Sequence, residues 1–309
     1  MGNTVIEVKK LEKQYGKQKV VQDLSFRIEE GMICGLIGPN GAGKTTIMKM
    51  LGGLVLPTGG EMELFGGSTE KELAKARSRI SFMIETPYAK EKLTARENLE
   101  KQRIQKGIPD KKRVDEVLKL VGLEHTGKKF VKNFSLGMRQ RLGIANALLS
   151  KPEIMILDEP TNGLDPEGIV EIRELLLKLN RQEHITILIS SHILSELSLL
   201  CTDYLFLQRG RLLQAVSEVE LRKLCKEYFH IHTDQDALAV TVLQEKLCIK
   251  EIEVEEDGSI RLYEQLDNIR EISHTLYEQG VIPLELRVCE ANLEQYYMDM
   301  AGEQNVEHH

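Results

Sequence analysis

An α/β fold built on a mostly parallel sheet is predicted by three features of this 309-residue chain. Short apolar runs near 33–37, 80–84, 154–157 and 185–190 alternate with stretches of helical periodicity, the pattern of a sheet covered by helices on both faces. The first run enters a glycine-rich turn that opens a helix. A charge shift near residue 216 then sets off a small α+β piece: residues 217–309 hold 21 acidic and 8 basic side chains, a balance of −13 within a net charge of −7. These features predict a P-loop nucleotide-binding domain over 3–216, with a helical subdomain over about 86–150, and a C-terminal α+β accessory domain over 217–307, of possible ferredoxin-like type.

Residues 4–9 and 20–28 alternate apolar and polar side chains and read as strands. Between them Lys13, Gln14, Tyr15 and Gly16 read as a turn with an exposed aromatic. After the buried strand 33–37 come Gly38, Pro39, Asn40, Gly41, Ala42, Gly43, Lys44 and Thr45, which fit G-x-x-x-x-G-K-[ST], and Thr46 continues the helix they open. A strand entering such a turn points several backbone N–H groups at one spot. The helix dipole adds positive potential there, so the spot binds phosphate. The glycines let the backbone close around the anion. Lys44 supplies a charge for the β- and γ-phosphates and the Thr45 hydroxyl a ligand for Mg²⁺.

Residues 54–60, with Pro57 and two glycines, read as a loop; 61–65 as a strand; 69–77 as a helix. The strand 80–84 ends at Glu85, Thr86 and Pro87. From about 93 to 121 the pattern is helical, opened by Thr94 and Glu97 at capping-box spacing and divided at Gly107, Ile108 and Pro109. Ser135, Leu136 and Gly137 open a third helix, 138–149. The apolar run 154–157 ends in Asp158 and Glu159. Burying carboxylates is costly unless something binds them, and a P-loop needs a second, carboxylate-bearing strand for its metal. Asp165 caps the helix 167–179 and Pro166 suits its first position. The strand 185–190 leads to Ser191 and His192. A lone histidine there is usually structural, but this one stands at the end of the strand after the carboxylate strand, within reach of a phosphate. Residues 204–208 and 211–214 form a hairpin around Arg209 and Gly210.

Residues 217–225 read as a linking helix. The remainder has the order β-α-β-β-α-β (228–232, 237–247, 249–254, 259–263, 269–278, 281–288), followed by a helix over 293–300, and suggests a split β-α-β unit. Asp257 and Gly258 mark its hairpin. His230 and His232 share one face of a strand but lack a third metal ligand. No catalytic grouping stands out here; dimerisation or regulation is the expected role.

Composition narrows the function. Aromatic residues are 5% of the chain and Trp is absent, which argues against stacking platforms for nucleic acid, so no nucleic-acid partner is expected. No apolar run reaches the roughly 18 residues of a membrane span, and the N-terminus lacks a signal-peptide core. Cys34, Cys201, Cys225, Cys248 and Cys289 are odd in number and widely spaced, as expected of reduced thiols in a cytosolic protein. Residues 86–134 hold 13 basic and 7 acidic side chains, a surface for headgroups, for an acidic partner or simply for water. Residues 306–309 read as the stub of a purification tag and Met1-Gly2 as a cloning remnant.

With these motifs in order, residues 3–215 resemble an ABC-type ATPase subunit. Residues 38–45 look like its Walker A loop, 154–158 like Walker B, Leu164 and Asp165 like the D-loop, and His192 like the switch histidine. Ser135 and Gly137 sit in the signature, which reads Phe134-Ser135-Leu136-Gly137-Met138 where the family usually has Leu-Ser-Gly-Gly-Gln. Glu85 stands where the family usually has Gln, in which this chain is similar to the exporters of bacitracin and lantibiotic self-protection. The resemblance implies ATP and Mg²⁺ as cofactors, Glu159 as catalytic base, Lys44 and His192 on the γ-phosphate, and Tyr15 on adenine. It implies Thr45, Asp158 and Glu85 around the metal, and a homodimer in which Ser135, Gly137 and Asp165 of one copy complete the phosphate site of the other. The expected partner is a membrane subunit through which a peptide or drug is exported, with this chain cytoplasmic and peripheral on the inner face of the membrane. The alternative is a soluble ABC ATPase acting on ribosomes or DNA. Ribosome-type members usually carry two nucleotide modules and DNA-repair members long coiled coils; this chain has one module and no sustained heptads.

Overall fold

The structure, a computed structural model, describes residues 2–84, 89–224, 228–255, 257–264, 268–289, 296–298 and 300. Its chain divides into two compact units, Met1–Glu218 and Val219–His309.

The first unit contains β1 (Thr4–Tyr15), β2 (Gln18–Glu29), β3 (Ile33–Ile37), α1 (Lys44–Leu51), β4 (Gly59–Leu64), α2 (Glu70–Arg77) and β5 (Ile80–Met83). It continues with α3 (Ala95–Gln105), α4 (Lys112–Leu120), α5 (Leu136–Leu148), β6 (Ile154–Asp158), α6 (Pro166–Glu183) and β7 (Thr186–Ser191). It closes with α7 (Leu194–Leu197), β8 (Asp203–Gln208) and β9 (Arg211–Ser217), and α8 (Glu218–Leu224) follows. One sheet has the antiparallel order β2-β1-β4. The other has the order β5-β6-β7-β3-β8-β9 and is parallel except for β9. Every residue of β3, β6 and β7 is buried, as continuous apolar strands covered on both faces must be. The core joins both sheets through α1: Ile6 and Leu24, Ile47 and Met48, Ile156 and Leu188 belong to one buried cluster. Cys34 and Cys201 lie in this interior, where burial pushes both thiols well above their ordinary range and leaves neither a reactive thiolate.

Local chemistry explains most boundaries. Thr94 and Glu97 form the reciprocal cap of α3: the Glu97 N–H donates to Thr94 Oγ1 at 3.2 Å and the Thr94 N–H to Glu97 Oε2 at 2.7 Å. Asp165 caps α6 by accepting from the Gly168 N–H at 3.2 Å, with Pro166 in its first turn. Three expectations need correction. Lys13, Gln14 and Tyr15 belong to β1 rather than to a turn. They pair with Val21, Lys19 and Gln18, and register slips around Leu11 and Lys13 break the alternation that would have revealed them. α5 begins at Leu136, not 138, because the Ser135 hydroxyl already accepts from the Met138 N–H at 3.2 Å. α6 runs to Glu183, one exposed polar turn beyond 179, and stops at His184 with φ 54°.

Gly60 marks the slip between β1 and β4. At φ +83° a Cβ there would stand 2.2 Å from the Lys10 carbonyl oxygen. Gly60→Ala is therefore expected to cost at least about 2 kcal/mol, seen as a lower urea midpoint at unchanged slope.

The second unit contains β10 (Tyr228–Thr233), α9 (Asp236–Lys246), β11 (Ile252–Val254), β12 (Ile260–Leu262), α10 (Ile269–Glu278) and β13 (Pro283–Cys289). Its strands pair antiparallel in the order β11-β12-β10-β13, the arrangement of a split β-α-β unit. Phe229, Ile231, Leu243, Leu262, Ile272 and Leu276 fill its core. β11 starts at Ile252 rather than 249, because Ile249 is drawn into that core after Cys248 turns at φ 53°. His230 lies between Glu255 and Glu285, at 3.6 and 3.7 Å, and His232 Nδ1 is 3.1 Å from Asp236. Of the helix expected over 293–300, residues 296–298 and 300 are helical; the rest, with Cys225 and the terminal 306–309, lies outside the described residues.

Candidate functional site

The site lies at the C-terminal edge of the parallel sheet, where β3, β6 and β7 end side by side. The loop 38–43 leaves β3, turns through Gly41 (φ +84°) and Gly43 (φ +103°), and delivers the chain into α1. Only glycine adopts such angles freely. A Cβ on Gly43 would also stand 3.0 Å from the Val20 carbonyl oxygen. The open N-terminus of α1 faces a cavity of about 460 Å³ lined by Val20, the loop from Pro39 to Thr46, Glu159, Asn162 and His192.

Around that cavity the polar side chains form one connected set. Lys44, buried, donates from Nζ to the Gly38 carbonyl at 2.6 Å and the Pro39 carbonyl at 3.4 Å, and stands 3.6 Å from Glu159 Oε1. The Thr45 hydroxyl donates to Asp158 Oδ2 at 2.8 Å. Ser190 Oγ donates to Asp158 Oδ1 at 2.6 Å and accepts from the Glu159 N–H at 3.0 Å, so it locks the end of β6 to β7. Glu159 has φ 49°, a left-handed conformation that costs a non-glycine residue about 1–3 kcal/mol and tends to persist where it aims a functional group. Its carboxylate reaches His192 Nδ1 at 2.7 Å, which places that nitrogen's proton toward the acid.

Thr45 and Asp158 are hard oxygen donors in contact at the mouth of a phosphate-binding loop. Two protein oxygens with room for phosphate and water match the sparse protein ligation that Mg²⁺ adopts beside nucleotides, so the donor set fits that ion.

The other expected site residues lie apart. Ser135, Gly137 and Asp165 line a second cleft, also about 460 Å³, with Leu136, Arg141, Leu164 and Glu167; it shares no residue with the phosphate cavity. Tyr15 is half-exposed at the end of β1, with Lys13 Nζ 4.9 Å from its ring centre, and does not line the phosphate cavity. Glu85 falls outside the described residues. Three residues were missed: Val20, Asn162 and Ser190. Ser190 was within reach of sequence reasoning, since parallel register sets it directly opposite Asp158. A larger cavity, about 740 Å³, opens at the opposite edge of the sheet among Arg113, Lys119, Lys151 and Glu183. It contains none of the motif residues, so volume is no guide here.

A strand, a phosphate-cradling loop, a helix and a neighbouring carboxylate-tipped strand define a P-loop nucleoside triphosphatase. A family model described as "ABC transporter" matches residues 21–162. The chain is 42% identical over 300 residues to the bacitracin transport ATP-binding protein BcrA of Bacillus licheniformis, covering 97% of this chain and 98% of that protein. It is 41% identical over 210 residues to the lantibiotic transport ATP-binding protein SrtF of Streptococcus pyogenes, covering 68% of this chain and 89% of that protein. Among solved structures, a dimeric ATP-binding cassette in a post-hydrolysis state bound to ADP and Pi is similar at TM-score 0.62 and 28% identity, over 69% of this chain and 98% of that one. The chain belongs to the ABC transporter family as an ATP-binding, ATP-hydrolysing subunit.

Proposed function

We propose that this chain powers export of an antimicrobial peptide or related drug through a separate membrane subunit, a reading supported by its similarity to ATP-binding proteins named for bacitracin and lantibiotic transport. The observation that carries the reading is the reach of the likeness to BcrA: at 97% of this chain it takes in the C-terminal unit as well as the nucleotide module. Among the described residues no helix is long and apolar enough to cross a membrane. The working position is the inner face of the membrane. Residues 3–216 form the nucleotide-binding domain and 217–307 the accessory domain.

In the mechanism we infer, the loop N–H groups and Lys44 hold the β- and γ-phosphates of ATP, and Tyr15 takes the adenine. Thr45 and Asp158, with Glu85, hold Mg²⁺, which neutralises phosphate charge when bound. Glu159 accepts a proton from the attacking water, and His192, hydrogen-bonded to it, orients that carboxylate toward the γ-phosphate. Ser135, Gly137 and Asp165 serve the phosphate site of a second copy. The separation of the two clefts supports this, because within one chain the signature has no phosphate to contact. ATP then bridges two subunits and hydrolysis releases them, an order–release switch.

The test is affinity capture of the full chain from detergent-solubilised membranes. Recovery of a protein with several membrane-spanning helices is expected; recovery of ribosomes or DNA in its place would overturn the exporter reading.

A further inference from the structure

We propose that the free edge of β13 pairs with the same strand of a second copy of this chain, antiparallel and centred on Leu286. β13 is seven residues long and, among the described residues, has β10 on one side and no strand on the other. The opposite edge of the sheet, β11, is only three residues long. A long edge strand with exposed apolar side chains is a template for pairing that natural proteins blunt or cover. Leu284 and Val288 are 62% and 51% exposed, and Pro283 with the register shift at Leu284 blunts the start of the strand but leaves Glu285 to Cys289 in regular register.

The order of residues says what covers it. Folded about Leu286, the strand is complementary to itself: Glu285 falls opposite the partner's Arg287, Leu284 opposite the partner's Val288, and the two-fold repeats each pair. Directly opposed residues in an antiparallel ladder share one face and touch. Leu286 and Val288 pair with Ile231 and Phe229 of the core; Leu286 packs against that core, while Val288, on the same face, and Leu284, at the register shift, stay exposed. Glu285 and Arg287 lie on the other face, where Arg287 Nε is already 3.0 Å from Glu285 Oε1. The ladder would therefore extend the apolar face across the junction and line up alternating charges behind it.

Other registers are worse. A slip of one residue sets Glu285 against an apolar position of the partner and mismatches the faces. Recentring on Arg287 opposes two arginines, and recentring on Glu285 opposes two glutamates, arrangements that like-charge repulsion disfavours. A two-fold contact of this kind is closed, so it gives a dimer rather than a fibre. It involves no nucleotide and is independent of the ATP-bridged contact proposed above.

The test is sedimentation velocity on the full chain without nucleotide at about 50 μM, where micromolar complexes are populated. A dimer is expected. Leu284→Lys, at an exposed side chain, should weaken self-association by roughly tenfold or more, since a two-fold applies the change twice. Glu285→Arg should weaken it as well, and adding Arg287→Glu should restore it. A chain that stays monomeric, or a dimer indifferent to Leu284→Lys and Glu285→Arg, would overturn the proposal. Circular dichroism of each variant shows whether the unit still folds. Glu159→Gln combined with Leu284→Lys should still dimerise with ATP and Mg²⁺, which separates failure of the edge pairing from failure of the nucleotide-bridged dimer.

Discussion

Glu159→Gln is expected to lower ATP turnover by about 10²–10⁴-fold, the usual contribution of a positioned general base, while ATP binding is kept or strengthened. The replacement preserves shape. The backbone at φ 49° remains tied through its N–H to Ser190, and the side chain keeps an oxygen within reach of His192 Nδ1. What disappears is the lone pair strength that takes a proton from water, together with one negative charge 3.6 Å from Lys44. A carboxylate there repels the γ-phosphate, so its neutral isostere should hold ATP at least as well. With hydrolysis stalled, the nucleotide-bridged pair should accumulate. Single-turnover hydrolysis and a fluorescent-nucleotide titration separate the two effects. Turnover close to that of the unaltered chain would remove Glu159 from the role of base; lost binding would make it a phosphate-site residue instead.

The sequence made the site's parts legible because its chemistry is local. Loop 38–45 needs glycines at fixed spacing, Asp158 and Glu159 end an apolar run, and Asp165 with Pro166 carries a cap signal that α6 obeys. Ser190 escaped notice because its role comes from lying opposite Asp158 across two parallel strands, a relation that no local pattern carries. Val20 and Asn162 likewise reach the cavity by way of tertiary placement. Strand limits failed where pairing overrides periodicity. β1 passes four register shifts against β2 and its last polar residues look like a turn, yet their ladder to β2 continues to Tyr15. Ile249 looked like strand because it is apolar and β-branched, but the core claims it before β11 begins. The self-complementarity of β13 was present in the sequence throughout; it acquired meaning only when the sheet order left that strand at an edge.

Lys44→Ala is expected to weaken ATP binding by roughly 10²-fold, the equivalent of losing one or two charge-assisted hydrogen bonds. The ammonium group is buried and held by two carbonyls of its own loop, at 2.6 and 3.4 Å, so it stands at the floor of the phosphate cavity. Little reorganisation is then required when phosphate arrives, and the full electrostatic gain goes into binding. The free protein should lose far less. Removing Lys44 leaves the Gly38 and Pro39 carbonyls without that donor, at about 1–2 kcal/mol. Glu159 keeps its contact with His192 at 2.7 Å and so is not stranded as a bare charge. Nucleotide titration beside urea unfolding therefore distinguishes two roles for the lysine. A collapse in stability with an unchanged nucleotide Kd would make Lys44 a brace for the loop; a large loss of affinity in a chain that unfolds nearly as before identifies it as the group that grips phosphate.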